Sequence, residues 1–164
     1  MTFIICIPLA LELTIHTTTY IVVADIHNDF EKIKMVFDIE QEILTYDHET
    51  WQKSLQKIAI AKKGVGEDYK LYKKNLNELS KKAPKDYPDQ SWKNVLESGT
   101  CVCNGYAQLM QYFCYKLGIK CDWISNPEDM IFAEGHAWNI VEINGEHYHL
   151  DATWGSSWLF MEPE

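Results

Sequence analysis

Three side chains that can together form a nucleophilic site occur along the chain in the order Cys103, His136 and Asp151. A thiol, an imidazole and a carboxylate are the parts of an activated cysteine nucleophile, in which the base takes the thiol proton and the carboxylate orients the base. This set indicates attack of a thiolate on a carbonyl carbon, followed by release of the thioester by water or an amine. The elements that carry these residues must therefore bring them together.

The last two of these residues flank a sequence typical of a β-hairpin. Asn144-Gly145 lies between two extended runs, residues 137–143 and 146–152. Asn-Gly between such runs is the strongest short signal for a type I′ turn. The sequence therefore predicts two antiparallel strands joined by a two-residue loop.

The register of this hairpin predicts where the imidazole and the carboxylate lie. With a two-residue turn, Trp138 pairs with Asp151 and His136 pairs with Thr153. His136 and Asp151 are then diagonal neighbours on one face, about 7–8 Å apart at the backbone. We expect a hydrogen bond between the two side chains to close that gap.

The thiol is predicted to lie at the start of a helix. Residues 104–117 have the clearest helical period in the chain, and Gly118 is placed to end the helix. The apolar face consists of Tyr106, Met110, Phe113, Cys114 and Leu117. The N–H groups of a helix start stabilise a thiolate, and the backbone N–H of Cys103 is the favoured oxyanion donor.

Three short motifs resemble the core motifs of the transglutaminase-like superfamily, in particular its bacterial and kyphoscoliosis-peptidase-like branches. They are Cys103-Asn-Gly-Tyr-Ala107, Gly135-His-Ala-Trp-Asn139 and Leu150-Asp-Ala-Thr-Trp-Gly155. The resemblance extends over residues 90–164, while the first 85 residues contain no matching motif.

The resemblance implies a role for each reactive residue. Cys103, rather than Cys101, is the nucleophile, His136 is the base and Asp151 orients the base. The implied fold is α+β and papain-like, with a Cys-bearing helix packed on an antiparallel sheet that carries His and Asp. The implied chemistry is acyl transfer from amide bonds, to water or to an amine.

Four further residues are predicted to bind substrate. Trp138 and Trp154 flank the reactive pair, and His149 shares its predicted sheet face. Trp92 lies eleven residues before Cys103 and could help to shape an oxyanion site. Core packing is the alternative for the tryptophans, and it is favoured for Trp92.

The N-terminal half is predicted to add helices to the same domain. Residues 1–24 are rich in Ile, Val and Thr and favour a strand. Periodic segments then predict helices over residues 29–44, 49–62 and 68–82. Two prolines in residues 83–88 mark a boundary between a mainly helical part, 1–88, and a catalytic core, 89–164. Because related chains often continue further, a core truncated at its C-terminus is also an expectation.

Composition excludes some partners. Lys plus Arg is 15 against 24 for Asp plus Glu, a net charge of −9, which argues against nucleic acid because phosphate binding needs a basic face. The five cysteines follow no paired spacing of a structural zinc site, so no metal or other cofactor is predicted. The apolar stretch 2–11 is too short to span a bilayer. It is either a weak signal-like core or a buried element, and a cytoplasmic location is favoured.

The sequence thus predicts a cysteine-dependent enzyme that acts on peptide or protein amides. Hydrolysis is favoured over cross-linking because no dedicated amine site can be recognised. The alternatives are a non-catalytic protein-binding module with the same fold and, third, a structural zinc domain. The oligomeric state stays open.

Overall fold

The fold is α+β, as predicted, in a computed structural model. The structure describes residues 3–7, 19–23, 28–66, 68–82, 89–125, 135–156 and 159–161. In chain order the elements are β1 (Phe3–Ile7), β2 (Thr19–Val23), α1 (Asp29–Ile43), β3 (Thr45–Tyr46), α2 (His48–Lys62), α3 (Tyr69–Lys82), α4 (Trp92–Ser98), β4 (Thr100–Cys101), α5 (Cys103–Leu117), β5 (Lys120–Ser125), β6 (Ala137–Ile143) and β7 (Glu146–Leu150), followed by a 3-10 turn (Ala152–Trp154).

The helix α5 forms the centre of the main core. Its buried residues are Gly105, Tyr106, Ala107, Leu109, Met110, Phe113, Cys114 and Leu117. They pack against α1, α4 and the strands β5 and β6. Gly118 follows with φ of 73°, a left-handed conformation that ends the helix as the sequence predicts.

The hairpin prediction is confirmed over most of its length. β6 pairs antiparallel with both β5 and β7, and Ile143 faces Glu146 across the turn. Asn144 and Gly145 have φ of 55° and 86°, the two positive values that a type I′ turn requires. The buried residues of β6 alternate along the strand and face α5.

The predicted pairs at the open end of the hairpin are wrong. The ladder stops at Asn139 opposite Leu150. Asp151 leaves the strand because its carboxylate accepts a hydrogen bond from the Thr153 N–H at 3.0 Å and caps the 3-10 turn. His136 precedes β6, so the imidazole and the carboxylate lie just beyond the strand ends.

Two short strands link the N-terminal half to the core. β3 pairs in parallel with β4, and the Asp47 N–H then donates to the Cys101 carbonyl at 2.8 Å. The sequence predicts neither strand, nor the helix α4. The three predicted helices of the N-terminal half, by contrast, agree with α1, α2 and α3 to within one residue at each end.

The remaining elements form smaller units. β1 and β2 pair antiparallel, in agreement with the strand predicted within residues 1–24. α2, α3 and the turn between them share a small apolar cluster of Ala61, Val65 and Tyr72. The predicted loop at residues 83–88 lies outside the described residues. Among the helices that the structure describes, none has the length and apolar character needed to cross a membrane.

Candidate active site

The start of α5 holds Cys103 at the surface of a cleft. The helix begins at this residue, which is half-buried. Val102 occupies the capping position with an extended backbone and has no polar side chain to bond the first N–H groups. The thiol therefore lies beside N–H groups that have no acceptor within the helix, in the electropositive field of its N-terminus.

The backbone just before Cys103 is fixed by a buried amide. The Val102 N–H donates to Oε1 of Gln90 at 2.9 Å, and Gln90 is only 5% exposed. The same oxygen lies against Gly105, where an added Cβ would approach it to 2.9 Å. A buried polar contact of this kind restricts the position of the helix start.

The two cysteines of Cys101-Val-Cys103 have different environments. Cys101 is fully buried, and burial raises its pKa well above the ordinary range of a thiol. It is therefore held neutral within the core. Cys103 alone of the two lines the cleft.

A buried amide also joins the helix to the sheet. Asn139, 2% exposed on β6, donates from Nδ2 to the Ala107 carbonyl of α5 at 2.9 Å. Because His136 is three residues before Asn139 and Cys103 is four residues before Ala107, this bond fixes the two reactive ends relative to each other.

The imidazole and the carboxylate are in direct contact. His136 Nε2 is hydrogen-bonded to Asp151 Oδ2, and the Asp151 side chain is 7% exposed. Its other oxygen accepts from the Thr153 N–H. Gln41 on α1 donates to the Ala152 carbonyl, so the N-terminal part supports this turn.

The environment of His136 favours its charged form. Burial of the ring lowers the pKa, but hydrogen bonds to Asp151 and Cys103, with their negative charges, outweigh it and raise the pKa of His136 to about 9. Nε2 contacts Asp151, so Nδ1 is the ring nitrogen left for the Cys103 thiol in the same cleft. The arrangement can hold an imidazolium against the Asp151 carboxylate.

Trp154 also approaches the imidazole. Its indole Nε1 lies 3.0 Å from His136 Nε2, the atom that contacts Asp151. A protonated Nε2 donates to the carboxylate and cannot also accept from an indole N–H. With His136 charged, Trp154 is therefore a ring neighbour of the imidazole, tilted by 52° with centroids 5.8 Å apart, and 61% of the tryptophan stays exposed.

The cleft has a volume of about 450 Å³. Its described lining is Tyr46, His48, Trp51, Cys103, Gly135, His136, Thr153 and Trp154. Of the residues predicted to bind substrate, Trp154 is in this lining. Sequence analysis did not predict that Tyr46, His48 and Trp51 line the cleft. The sequence does group these three aromatic side chains around Asp47, which is a residue type that caps helices.

Two other predicted substrate residues contact each other. The Trp138 Nε1–H donates to His149 Nδ1 at 2.9 Å. The Trp138 ring is nearly parallel to that of His136, with centroids 6.1 Å apart. Trp138 therefore lies beside the imidazole and His149 contacts Trp138, while neither residue is in the described lining of the cleft.

Trp92 lies in a different groove. Its ring stacks on Tyr112 at 3.9 Å, and the groove is bounded by α4, the outer face of α5 and the start of β5. The substrate-binding role predicted for Trp92 stays a prediction at this second position. Within the described ranges, no three His, Cys, Asp or Glu side chains are grouped as metal ligands.

Comparison with known proteins gives one family. The model of a family described as the transglutaminase-like superfamily matches residues 69–152. The match includes Cys103, His136 and Asp151, and it ends before Trp154. No curated protein matches the chain by sequence.

Proposed function

Because the chain belongs to the transglutaminase-like superfamily, we propose that it is a cysteine-dependent acyl-transfer enzyme that hydrolyses amide bonds of peptides or proteins. The observation that carries the proposal is that His136, bonded to the carboxylate of Asp151, lines one cleft together with Cys103 at the start of α5. A histidine that serves only packing would not need both a nearly buried carboxylate bonded to its ring and a thiol in the same cleft.

The first half-reaction forms a thioester. His136 Nδ1 takes the proton of Cys103, and the thiolate attacks the amide carbon to form a C–S bond. The carbonyl oxygen becomes an oxyanion near the Cys103 N–H at the helix start. The C–N bond then breaks, and the leaving amine receives the proton from His136.

The second half-reaction restores the thiol. Water gives a proton to His136 and attacks the thioester carbon, and the C–S bond breaks as the acid is released. The Cys103 sulfur regains its proton from the imidazolium. An amine in place of water would give a new amide, so the same steps describe transfer.

Asp151 has an orienting part in this scheme. Its bond to Nε2 leaves Nδ1 available for proton exchange with the sulfur, and its charge stabilises the imidazolium that forms in both half-reactions. The Thr153 N–H and the bond from Gln41 to the turn keep the carboxylate in place.

A comparison of cysteine variants tests the proposal. We expect Cys103→Ala to abolish cleavage of casein or of a peptide library, and Cys121→Ala, the same change at another half-buried thiol, to leave it intact. Mass spectrometry measures cleavage, and incorporation of a labelled amine measures transfer. Equal products from wild type and Cys103→Ala would contradict the enzyme and favour a protein-binding module.

Thiol labelling tests the nucleophile without any substrate. A thiolate paired with an imidazolium should react with iodoacetamide faster than the fully buried Cys114. Peptide mapping after short exposure at neutral pH gives the rate at each site. If Cys103 reacts no faster than Cys114, the proposed nucleophile is wrong.

A further inference from the structure

The walls of the cleft at Cys103 come mainly from outside the segment that matches the family. Cys103, Gly135 and His136 lie within residues 69–152. The wall residues outside it are Tyr46, His48, Trp51, Thr153 and Trp154. Thr153 and Trp154 still belong to the third family-like motif, so the wall residues from the part of the chain without a family match are Tyr46, His48 and Trp51.

The strand pair β3–β4 holds one wall against the nucleophile. Tyr46 pairs with Cys101, two residues before Cys103, and Asp47 donates its N–H to the Cys101 carbonyl. Asp47 Oδ1 also accepts from the Thr50 N–H at 2.9 Å and so begins α2. The position of this wall is therefore fixed by the backbone next to the reactive thiol.

The first turn of α2 completes that wall. His48 and Trp51 are three residues apart on the helix, a spacing that places both on one side. The Tyr46 and His48 rings are in edge contact, with centroids 5.0 Å apart. Trp154 is another part of the cleft lining, and it contacts the imidazole.

The chemistry of the lining is apolar and aromatic. Among the described residues of the cleft, none has a carboxylate, ammonium or guanidinium group. The charge of His136 is already paired with Asp151, so a charged substrate side chain would lose hydration there without gaining an unpaired ionic partner, which is unfavourable. An apolar ring would instead cover the exposed face of Trp154 and pack against Tyr46 and Trp51.

We infer that the enzyme selects amides whose acyl side carries a large apolar side chain, aromatic or branched aliphatic, at the attacked residue or the one before it. The inference rests on the proposed function. The acyl part is assigned to the cleft because it stays bonded to Cys103 through both half-reactions, whereas the amine departs after the first. Trp51 and Trp154 are the residues that determine this preference.

Peptidyl chloromethyl ketones test this selectivity. The Cys103 thiolate displaces chloride, so each probe forms one C–S bond and releases one chloride ion. Two pairs of probes compare Phe with Ala, one pair at the residue next to the ketone and one at the residue before it. We expect the Phe probe of one pair to label Cys103 at least about tenfold faster, the range expected for filling an apolar pocket.

Variants assign the selectivity to the cleft. Trp51→Ala should reduce the Phe-to-Ala ratio to within about twofold, and taking the ratio cancels any change in thiol reactivity common to both probes. Trp154→Leu provides a second test at a more exposed position should Trp51→Ala not fold. Trp123→Ala, at a tryptophan that is 40% exposed on β5, is the matched control and should retain the full ratio.

The outcomes separate this inference from the proposed function. Rapid iodoacetamide labelling of Cys103 with equal Phe and Ala rates would overturn the selectivity and leave the nucleophile in place. A Phe preference that survives both Trp51→Ala and Trp154→Leu would overturn the assignment to these walls. Slow labelling of Cys103 by iodoacetamide would overturn the proposed function.

Discussion

At the scale of single residues, the imidazole of His136 connects the groups on which the proposed chemistry depends. Burial lowers its pKa, and the bonds with Asp151 and Cys103 reverse that effect and raise the pKa to about 9. The charged imidazole is therefore populated at neutral pH. The raised pKa of His136 contributes to the free energy of unfolding. This contribution is complete below pH 6.5, the ordinary pKa of histidine, and it is lost as the pH rises from 6.5 through about 9.

Asp151→Asn tests the role of the carboxylate. The change keeps an oxygen for the Thr153 N–H but removes the charge, so the pKa of His136 should fall. We expect kcat to drop by about 100-fold or more, and the alkaline limb of kcat/KM to move from near 9 to lower pH. The pH profile of peptide cleavage measures both.

A matched control for that variant is Asp122→Asn, at an exposed carboxylate on β5. It should leave the alkaline limb unchanged. An Asp151→Asn profile that loses rate at every pH without any shift of the limb would contradict the proposed effect of the carboxylate on His136.

A second titratable residue lies outside the active site. Glu40 on α1 is fully buried, and neither carboxylate oxygen has a hydrogen-bond partner among the described residues. Burial, with a smaller effect of Cys121, raises the pKa of Glu40 well above its ordinary value of 4.5. The folded state therefore holds this side chain as the neutral acid.

Glu40→Gln should make the fold less sensitive to pH. Because the pKa of Glu40 is raised in the folded state, the free energy of unfolding of the wild type is highest below pH 4.5. It decreases as the pH rises from 4.5 through the folded-state pKa of Glu40. Between these two pH values, the wild type should lose up to about 1.4 kcal/mol of unfolding free energy per pH unit relative to Glu40→Gln. Urea unfolding at several pH values measures it, with the exposed Glu42→Gln as control. Parallel curves for wild type and Glu40→Gln would contradict this account.

At the scale of elements, Gly105 limits how the start of α5 can pack. An added Cβ would overlap the Cys101 side chain and lie 2.9 Å from Gln90 Oε1. Both neighbours are buried and have little room to move. The Gly in the proposed nucleophile motif is thus required by the contact between the helix and the segment before it.

Gly105→Ala should destabilise the protein, although alanine is the better helix former. Helix propensity favours Ala by about 1 kcal/mol, whereas overpacking costs about 1–3 kcal/mol, so the net effect should be a loss. The displaced helix start should also slow alkylation of Cys103. Urea unfolding and iodoacetamide labelling measure the two effects. Gln108→Ala, one turn further along α5, is the control, and a Gly105→Ala protein as stable as wild type would refute the packing argument.

The elements also show why parts of the fold could be predicted. Asn144-Gly145 and the helical period of residues 104–117 are local signals, and both predictions are confirmed. The two-residue strands β3 and β4 have no period to detect, and their parallel pairing joins distant segments. The sequence therefore predicted the hairpin but could not place Tyr46 and Trp51 in the cleft.

Local capping explains why the ladder ends earlier than predicted, although its register is the predicted one. The alternating pattern continues past Leu150, so it predicts a strand as far as Ala152. The hydrogen bond from the Thr153 N–H to Asp151 instead begins a turn. The predicted contact of His136 with Asp151 nevertheless forms, because the side chains meet beyond the end of the ladder.

At the scale of the whole molecule, one core joins the two halves of the chain. Ile33, Val36 and Phe37 of α1 are at most 1% exposed and belong to the same cluster as the buried face of α5. The strand pair β3–β4 and the bond from Gln41 to Ala152 add polar links between the halves. The division into residues 1–88 and 89–164 stays a prediction, as does the assignment of both to one domain.

Expression of residues 89–164 alone tests that assignment. Removing α1 would expose the face of α5 that packs against Ile33, Val36 and Phe37. Burial of a large apolar side chain contributes about 1.5–3 kcal/mol, so three of them contribute about 5 kcal/mol or more. Domains have a net stability of only about 5–15 kcal/mol, and the fragment should therefore lack a cooperative unfolding transition. Circular dichroism during urea titration measures the transition, with the full chain as control. A fragment with a cooperative transition would show that the core folds independently and that the N-terminal half is a separate unit.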